Sequence, residues 1–265
     1  MVASTVGLTL LLLLTGSCGG GSASNASTSV SGAYEFVVTS TVTGGVTLIE
    51  ANLSASGDQS TANGAGEVQV LTFEKKIWYV NGICPGNSPG QNNVAVNLGN
   101  NNDVALTFDE GGNTLPGQGV LVGATINGNY AVSGSNCPDL VGVVGFPPGT
   151  DSGGIVGNQV PNLSGTFAGS LTLPNGPDDA ALTLTENTDH TLTVSAALTG
   201  QVDNGTFTLT GTAVGNIMFV SGTISGQTVD LFGYYDRSGA YTKMPNSLLV
   251  FDYDLGSSDG LLLGQ

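Results

Sequence analysis

From Tyr34 onward the chain is built of short runs of Val, Ile, Leu, Thr, Phe and Tyr, broken every 8–12 residues by Gly or Asn. A run of that length crosses a sheet once, and Gly or Asn then supplies the positive φ that reverses the chain, so the pattern predicts strands joined by tight turns. No stretch carries helical periodicity. Tight connections make neighbouring strands antiparallel, because a parallel pair needs a long crossover. The predicted fold is therefore all-β, an antiparallel meander forming a barrel or a sandwich, with two related sheet units in sequence as one form of it. The 42 glycines have no triplet period, which separates them from a collagen-like use.

The clearest predicted hairpin is Leu182-Thr183-Leu184-Thr185, a turn around Glu186 to His190, then Thr191-Leu192-Thr193-Val194, with Leu and Val on one face and Thr on the other. Asn127-Gly128, Asn204-Gly205 and Ser225-Gly226 are predicted two-residue turns. Gly32-Ala33-Tyr34 and Gly165-Thr166-Phe167 open two similar β regions, and Thr125-Ile126-Asn127-Gly128 echoes Thr223-Ile224-Ser225-Gly226. The offsets, 133 and 98 residues, disagree, so a duplication and independent reuse of hairpin chemistry both stay open. The Pro- and Gly-rich segment from Phe146 to Gly154 is the predicted boundary. The chain thus divides into a first β region (32–145), a linker or long loop (146–161) and a second β region (162–265).

Charged residues are only 9% of the chain, leaving Thr, Ser, Asn, Gln and Gly to face solvent, as on extracellular surfaces. Four basic residues against 20 acidic ones give a net charge of −16, which repels a phosphate backbone and excludes nucleic acid as a partner class.

Val6 to Leu14 is an apolar run too short to span a bilayer but suited to the hydrophobic part of a signal peptide. Leu14-Thr15-Gly16-Ser17-Cys18 follows and resembles the lipobox of bacterial lipoproteins. The resemblance implies that residues 1–17 are a lipoprotein signal peptide and that the Cys18 thiol carries the lipid, the membrane being reached through that anchor. Residues 18–31, almost wholly small and polar, then read as a flexible tether whose reach is on the order of 20 Å. Gly19 after Cys18 resembles cargo sorted to an outer membrane, so the implied location is the cell envelope, facing the periplasm or the cell surface. With Cys18 lipidated in an oxidising compartment, Cys84 and Cys137 remain as an even pair, and a disulfide between them is the expectation. As a whole the chain resembles bacterial lipoproteins with Gly/Thr-rich β domains, a resemblance that implies no particular ligand.

Reactive groupings are sparse. Asp151-Ser152-Gly153-Gly154 resembles the nucleophile segment of trypsin-like proteases, but the single histidine, His190, sits in a predicted hairpin turn, so a Gly-rich loop is the reading preferred. One histidine cannot build the usual zinc, copper or haem sites, and no cofactor is implied. Asp252, Asp254 and Asp259 have a trace of calcium-loop spacing, yet Ser257 and Leu263 stand where an EF-hand needs Gly and Glu. They read as exposed charges and no metal site is predicted. The pairs Asp109-Glu110 and Asp178-Asp179 are the carboxylate candidates for glycoside hydrolysis, and both fall beside turn residues. Trp78 and Tyr79 form the most distinctive strand and are the candidate ligand-binding platform, against a core tryptophan as the ordinary alternative.

These readings lead to a membrane-anchored exported lipoprotein with a binding or structural role toward a small-molecule, glycan or protein ligand. The alternatives are an exported hydrolase of polysaccharide or ester and a transmembrane β-barrel, the latter opposed by an aromatic content of 6%, too low for two interfacial girdles.

Overall fold

A computed structural model describes residues 30–42, 44, 46–56, 61–64, 69–74, 77–80, 92–110, 113–133, 150–173, 176–200, 203–251 and 258–264. Cys18, Cys84, Cys137, Asp252 and Asp254 lie outside these residues. Asp259, Trp78, Tyr79, Asp109 and Glu110 are described through their strands only.

Ten strands make the first sheet: β1 (Gly32–Ser40), β2 (Val46–Ala55), β3 (Thr61–Gly64), β4 (Gln69–Glu74), β5 (Ile77–Val80), β6 (Asn92–Leu98), β7 (Asp103–Glu110), β8 (Asn113–Val122), β9 (Thr125–Ser133) and β10 (Thr150–Gln159). Strand β1 pairs antiparallel with both β2 and β10, which brings the order β2-β3-β6-β7-β8-β9-β10 round to its start. This is a nearly closed eight-strand barrel. Strand β2 gives one edge to β1 and splits the other, Val46–Glu50 pairing with β4 and Leu53–Ala55 with β3. The β4–β5 hairpin is thus an insertion that branches from the wall.

The second sheet is a closed antiparallel barrel in plain meander order: β11 (Gly165–Leu173), β12 (Gly176–Glu186), β13 (Thr191–Thr199), β14 (Asn204–Val214), β15 (Ile217–Ile224), β16 (Gln227–Asp236), β17 (Ser247–Phe251) and β18 (Ser258–Gly264), with β18 returning to β11. Alternation decides which face turns inward. In β13, Leu192, Val194, Ala196 and Leu198 are buried while Thr191, Thr193 and Thr199 are exposed. Each fully buried Leu or Val contributes on the order of 1.5–3 kcal/mol.

Each barrel has its own apolar interior. The first stacks Tyr34 on Phe36 (5.6 Å between ring centroids) and Phe36 edge-on against Phe108 (5.1 Å), with Val, Leu and Ile filling the remainder. The second is mostly aliphatic, with Phe167 against Tyr235. A third cluster joins them, Leu48 of β2 with Ile217, Phe232, Tyr234 and Leu249 of the second barrel, flanked by Val37, Val46, Phe219 and Tyr241.

Several expectations meet the structure differently. The all-β meander is present and takes the barrel form. The 182–194 hairpin falls where predicted, and Ser225-Gly226 is a turn with both residues at positive φ. Asn127-Gly128 instead lies inside β9, and Asn204-Gly205 opens β14. The turn before β9 is Gly123-Ala124. Residues 150–159, assigned to a linker from sequence, form β10 and close the first barrel, so the join between barrels falls at Val160–Ser164. Of the two internal echoes, Gly32/Gly165 corresponds: both glycines open the first strand of a barrel at positive φ, and Tyr34 and Phe167 are both buried. Thr125 begins a strand whereas Thr223 is next to last in one, and Asn127-Gly128 lies in a strand where Ser225-Gly226 forms a turn, so that echo has no structural counterpart.

Candidate functional site

A group of buried and half-buried ionisable side chains lies where the barrels meet. Glu35 and Glu50 are direct cross-strand partners on β1 and β2. Their strands turn Tyr34, Phe36, Ile49 and Ala51 into the first barrel, so the alternate positions face the second. Glu35 Oε2 accepts hydrogen bonds from the Tyr234 hydroxyl (2.7 Å) and the Asn216 side-chain amide (3.0 Å). Glu50 Oε2 accepts the Asn216 backbone N–H at 2.8 Å. Asn52 holds the same turn twice, donating to Ala213 O and accepting from the Gly215 N–H.

Gly215, at φ 57°, is required at this turn: a Cβ would stand 2.0 Å from Glu50 Oε2 and 2.8 Å from Tyr34 O. Arg237 completes the group. Its Nε donates to Asn216 Oδ1 (2.8 Å), its terminal nitrogen donates to the carbonyls of Pro161 and Asn162 in the join, and its guanidinium lies over the Tyr235 ring at 4.3 Å. Burial, and then the neighbouring Glu35 charge, push the Glu50 carboxyl well above the ordinary range, outweighing the Asn216 N–H and Arg237. Burial first, then the same two glutamates, raise the Tyr234 hydroxyl, which keeps it a donor.

The other buried carboxylates have structural partners. Asp151 accepts from the Ser40 hydroxyl and the Ser152 N–H through Oδ1 and from the Tyr130 hydroxyl through Oδ2, tying β1, β9 and β10 together. Asp178 and Asp203 are both buried at one end of the second barrel, where burial and then the Asp203 charge raise the Asp178 carboxyl.

The candidates for hydrolysis are not assembled by these contacts. Ser152 is exposed on β10, with its hydroxyl beside that of Thr41. His190, on the β12–β13 turn of the other barrel, bonds Glu186 at 2.6 Å instead. Asp179 is exposed on the outer side of β12, away from its buried neighbour Asp178. Trp78 and Tyr79 lie in β5, the hairpin strand farthest from the ring. Among the described residues no group of three or more His, Cys, Asp or Glu side chains could hold a metal ion.

Sequence reasoning passed over Glu35, Glu50, Asn216, Tyr234 and Arg237. One signal was present: in a chain with so few charges, each glutamate interrupts an otherwise apolar strand, Tyr34-Glu35-Phe36-Val37 and Leu48-Ile49-Glu50-Ala51. The architecture is that of a tandem up-and-down barrel protein. No family model matches the chain, and no curated protein matches it in sequence.

Proposed function

We propose that this chain is an exported, lipid-anchored envelope protein whose twin-barrel body binds or braces a macromolecular partner, protein or glycan, through its outer surfaces. The observation that carries this reading is the filling of both interiors. Eight strands enclose a space just wide enough for side chains, and here Tyr34, Phe36 and Phe108 occupy one barrel and buried Leu, Val and Phe167 the other. A ligand is therefore met outside the walls. Apolar interiors and Thr-rich outer positions such as Thr183, Thr185, Thr191 and Thr193 are also the inverse of a transmembrane barrel, which is apolar outside.

Attachment rests on Cys18 and its lipobox-like surroundings. Val30 is already buried in the first core, so residues 19–29 separate the lipid from the packed body, a reach of roughly 15–20 Å at 5–6 Å times the square root of length. The body is held close to the membrane.

The test is expression in a bacterium, with membrane fractionation and intact-mass measurement. The wild-type chain is expected in the membrane fraction, cut before Cys18 and carrying acyl mass, and Cys18→Ala in the soluble fraction. An unprocessed chain that partitions alike with and without Cys18 defeats the anchor. Saturable one-to-one uptake of an apolar fluorescent probe by the native body defeats the filled-barrel argument.

A further inference from the structure

We propose that Glu35 and Glu50 hold a single proton between them and that this proton latches the second barrel onto the first, so that the inter-barrel contact loosens as pH rises. Like charges directly opposite on adjacent strands repel at about 5 Å, and here they do so under a seated turn.

The surroundings assign the proton. Glu35 takes two donors on Oε2, the Tyr234 hydroxyl and the Asn216 amide, and so is the carboxylate of the pair. Glu50 receives one N–H, on Oε2, and its Oε1 is buried without a partner. A neutral Glu50 can carry its O–H on that oxygen, and the cross-strand register sets the Glu35 carboxylate beside it as acceptor. One proton thereby removes the repulsion and satisfies the orphan oxygen.

The groups facing Glu50 are Glu35 on β1, Asn52 on its own strand, Asn216 on the β14–β15 turn, Tyr234 and Arg237 at the end of β16, and Tyr241 in the loop beyond. Arg237 is the cation among them, and its donors go to Asn216 and the join, not to the carboxylates. An ionised Glu50 needs further donors or water, and the side chain with its Oε1 is shut away from solvent while the turn is seated.

The sign follows from the raised Glu50 value, caused first by burial and then by the Glu35 charge. Its contribution to docking is complete below the ordinary carboxyl range and is lost as pH rises through the raised value. Within that window each pH unit shifts the docking equilibrium by up to about tenfold.

Amide hydrogen exchange of the full chain tests the latch at Gly215 and Asn216, whose N–H groups donate across the contact. Corrected for intrinsic rate, wild-type protection there is expected to fall by tenfold or more as pH rises, while Glu50→Gln keeps it flat. Glu35→Gln, which removes the repelling charge, is expected to move the fall to lower pH. The carbon-13 shift of the wild-type Glu50 carboxyl is expected to titrate at the upper end of the pH window over which protection falls. Flat wild-type protection, an equal fall in Glu50→Gln, or a Glu50 titration in the ordinary carboxyl range, below the fall in protection, overturns the proposal. If Glu50→Gln fails to fold, the Glu50 titration and Glu35→Gln decide it.

Discussion

Asp236 shows how one side chain can shape a loop. It is 1% exposed, and its two oxygens collect five donors: the Ser238 hydroxyl and Gly239 N–H on Oδ1, and the Tyr241 N–H, Thr242 N–H and Thr242 hydroxyl on Oδ2. These bonds fold the connection between β16 and β17, which carries Tyr241 to the inter-barrel seam. Burial by itself raises a carboxyl pKa, yet the donors from Thr242, Tyr241 and Gly239 outweigh it and hold Asp236 below the ordinary range. Asp236→Ala leaves those donors unsatisfied and is expected to cost about 3 kcal/mol in urea unfolding at neutral pH. A depressed native value contributes stability above the unfolded carboxyl pKa, and that contribution disappears as pH falls through the native value. The deficit of Asp236→Ala relative to wild type is therefore expected to shrink in strong acid; a pH-independent deficit contradicts the cage.

Strand β10 places two adjacent glycines in opposite circumstances. A Cβ on Gly153 would stand 1.9 Å from the Thr39 carbonyl oxygen and 2.8 Å from the Tyr130 ring, whereas one on Gly154 would meet nothing within 4 Å. Gly153→Ala must push β1 and β10 apart where they close the barrel, and is expected to destabilise by roughly 2–3 kcal/mol. Gly154→Ala is expected to stay within about 0.5 kcal/mol of wild type. Thermal unfolding of the two variants checks both, and equal losses refute the close-packing account. The same pair explains what the sequence concealed. Alternating Leu and Thr made the 182–194 hairpin legible because its outward face meets water and its turn residues sit between the two runs. In β9 and β10, glycine is a packing residue inside a strand: Gly128 faces Gly119 across β8–β9, with the Gln118 carbonyl 2.5 Å from where a Cβ would stand. Sequence alone does not distinguish that use from a turn. The Glu35–Glu50 pair was hidden for a related reason, since register, which brings the two opposite each other, is a property of the folded sheet.

At the scale of the molecule, the two barrels are joined by a seam whose sequence signature is the failure of alternation. The segment Thr47-Leu48-Ile49-Glu50-Ala51 is buried at every position, as are Leu231-Phe232-Gly233-Tyr234-Tyr235-Asp236, because one face of each strand lines its own barrel and the other meets the neighbouring one. Leu48 is 1% exposed and sits among Ile217, Phe232, Tyr234 and Leu249. Five hydrogen bonds, from Asn52, Gly215, Asn216 and Tyr234, close the polar end of the contact. Such a contact couples the unfolding of one barrel to that of the other. The wild-type chain is expected to unfold in a single calorimetric transition, with calorimetric and van't Hoff enthalpies agreeing. Leu48→Asp buries an unpaired carboxylate in the apolar part of the seam, costing several kcal/mol in the docked state. Leu48 belongs to the inter-barrel cluster and not to the first barrel's interior, so undocking relieves that cost without opening either barrel. The variant is therefore expected to show two transitions, the later one belonging to the closed β11–β18 barrel with its separate core. Two transitions already present in the wild-type chain, or one undivided transition in Leu48→Asp at a lower temperature, contradict a seam that couples two otherwise independent barrels.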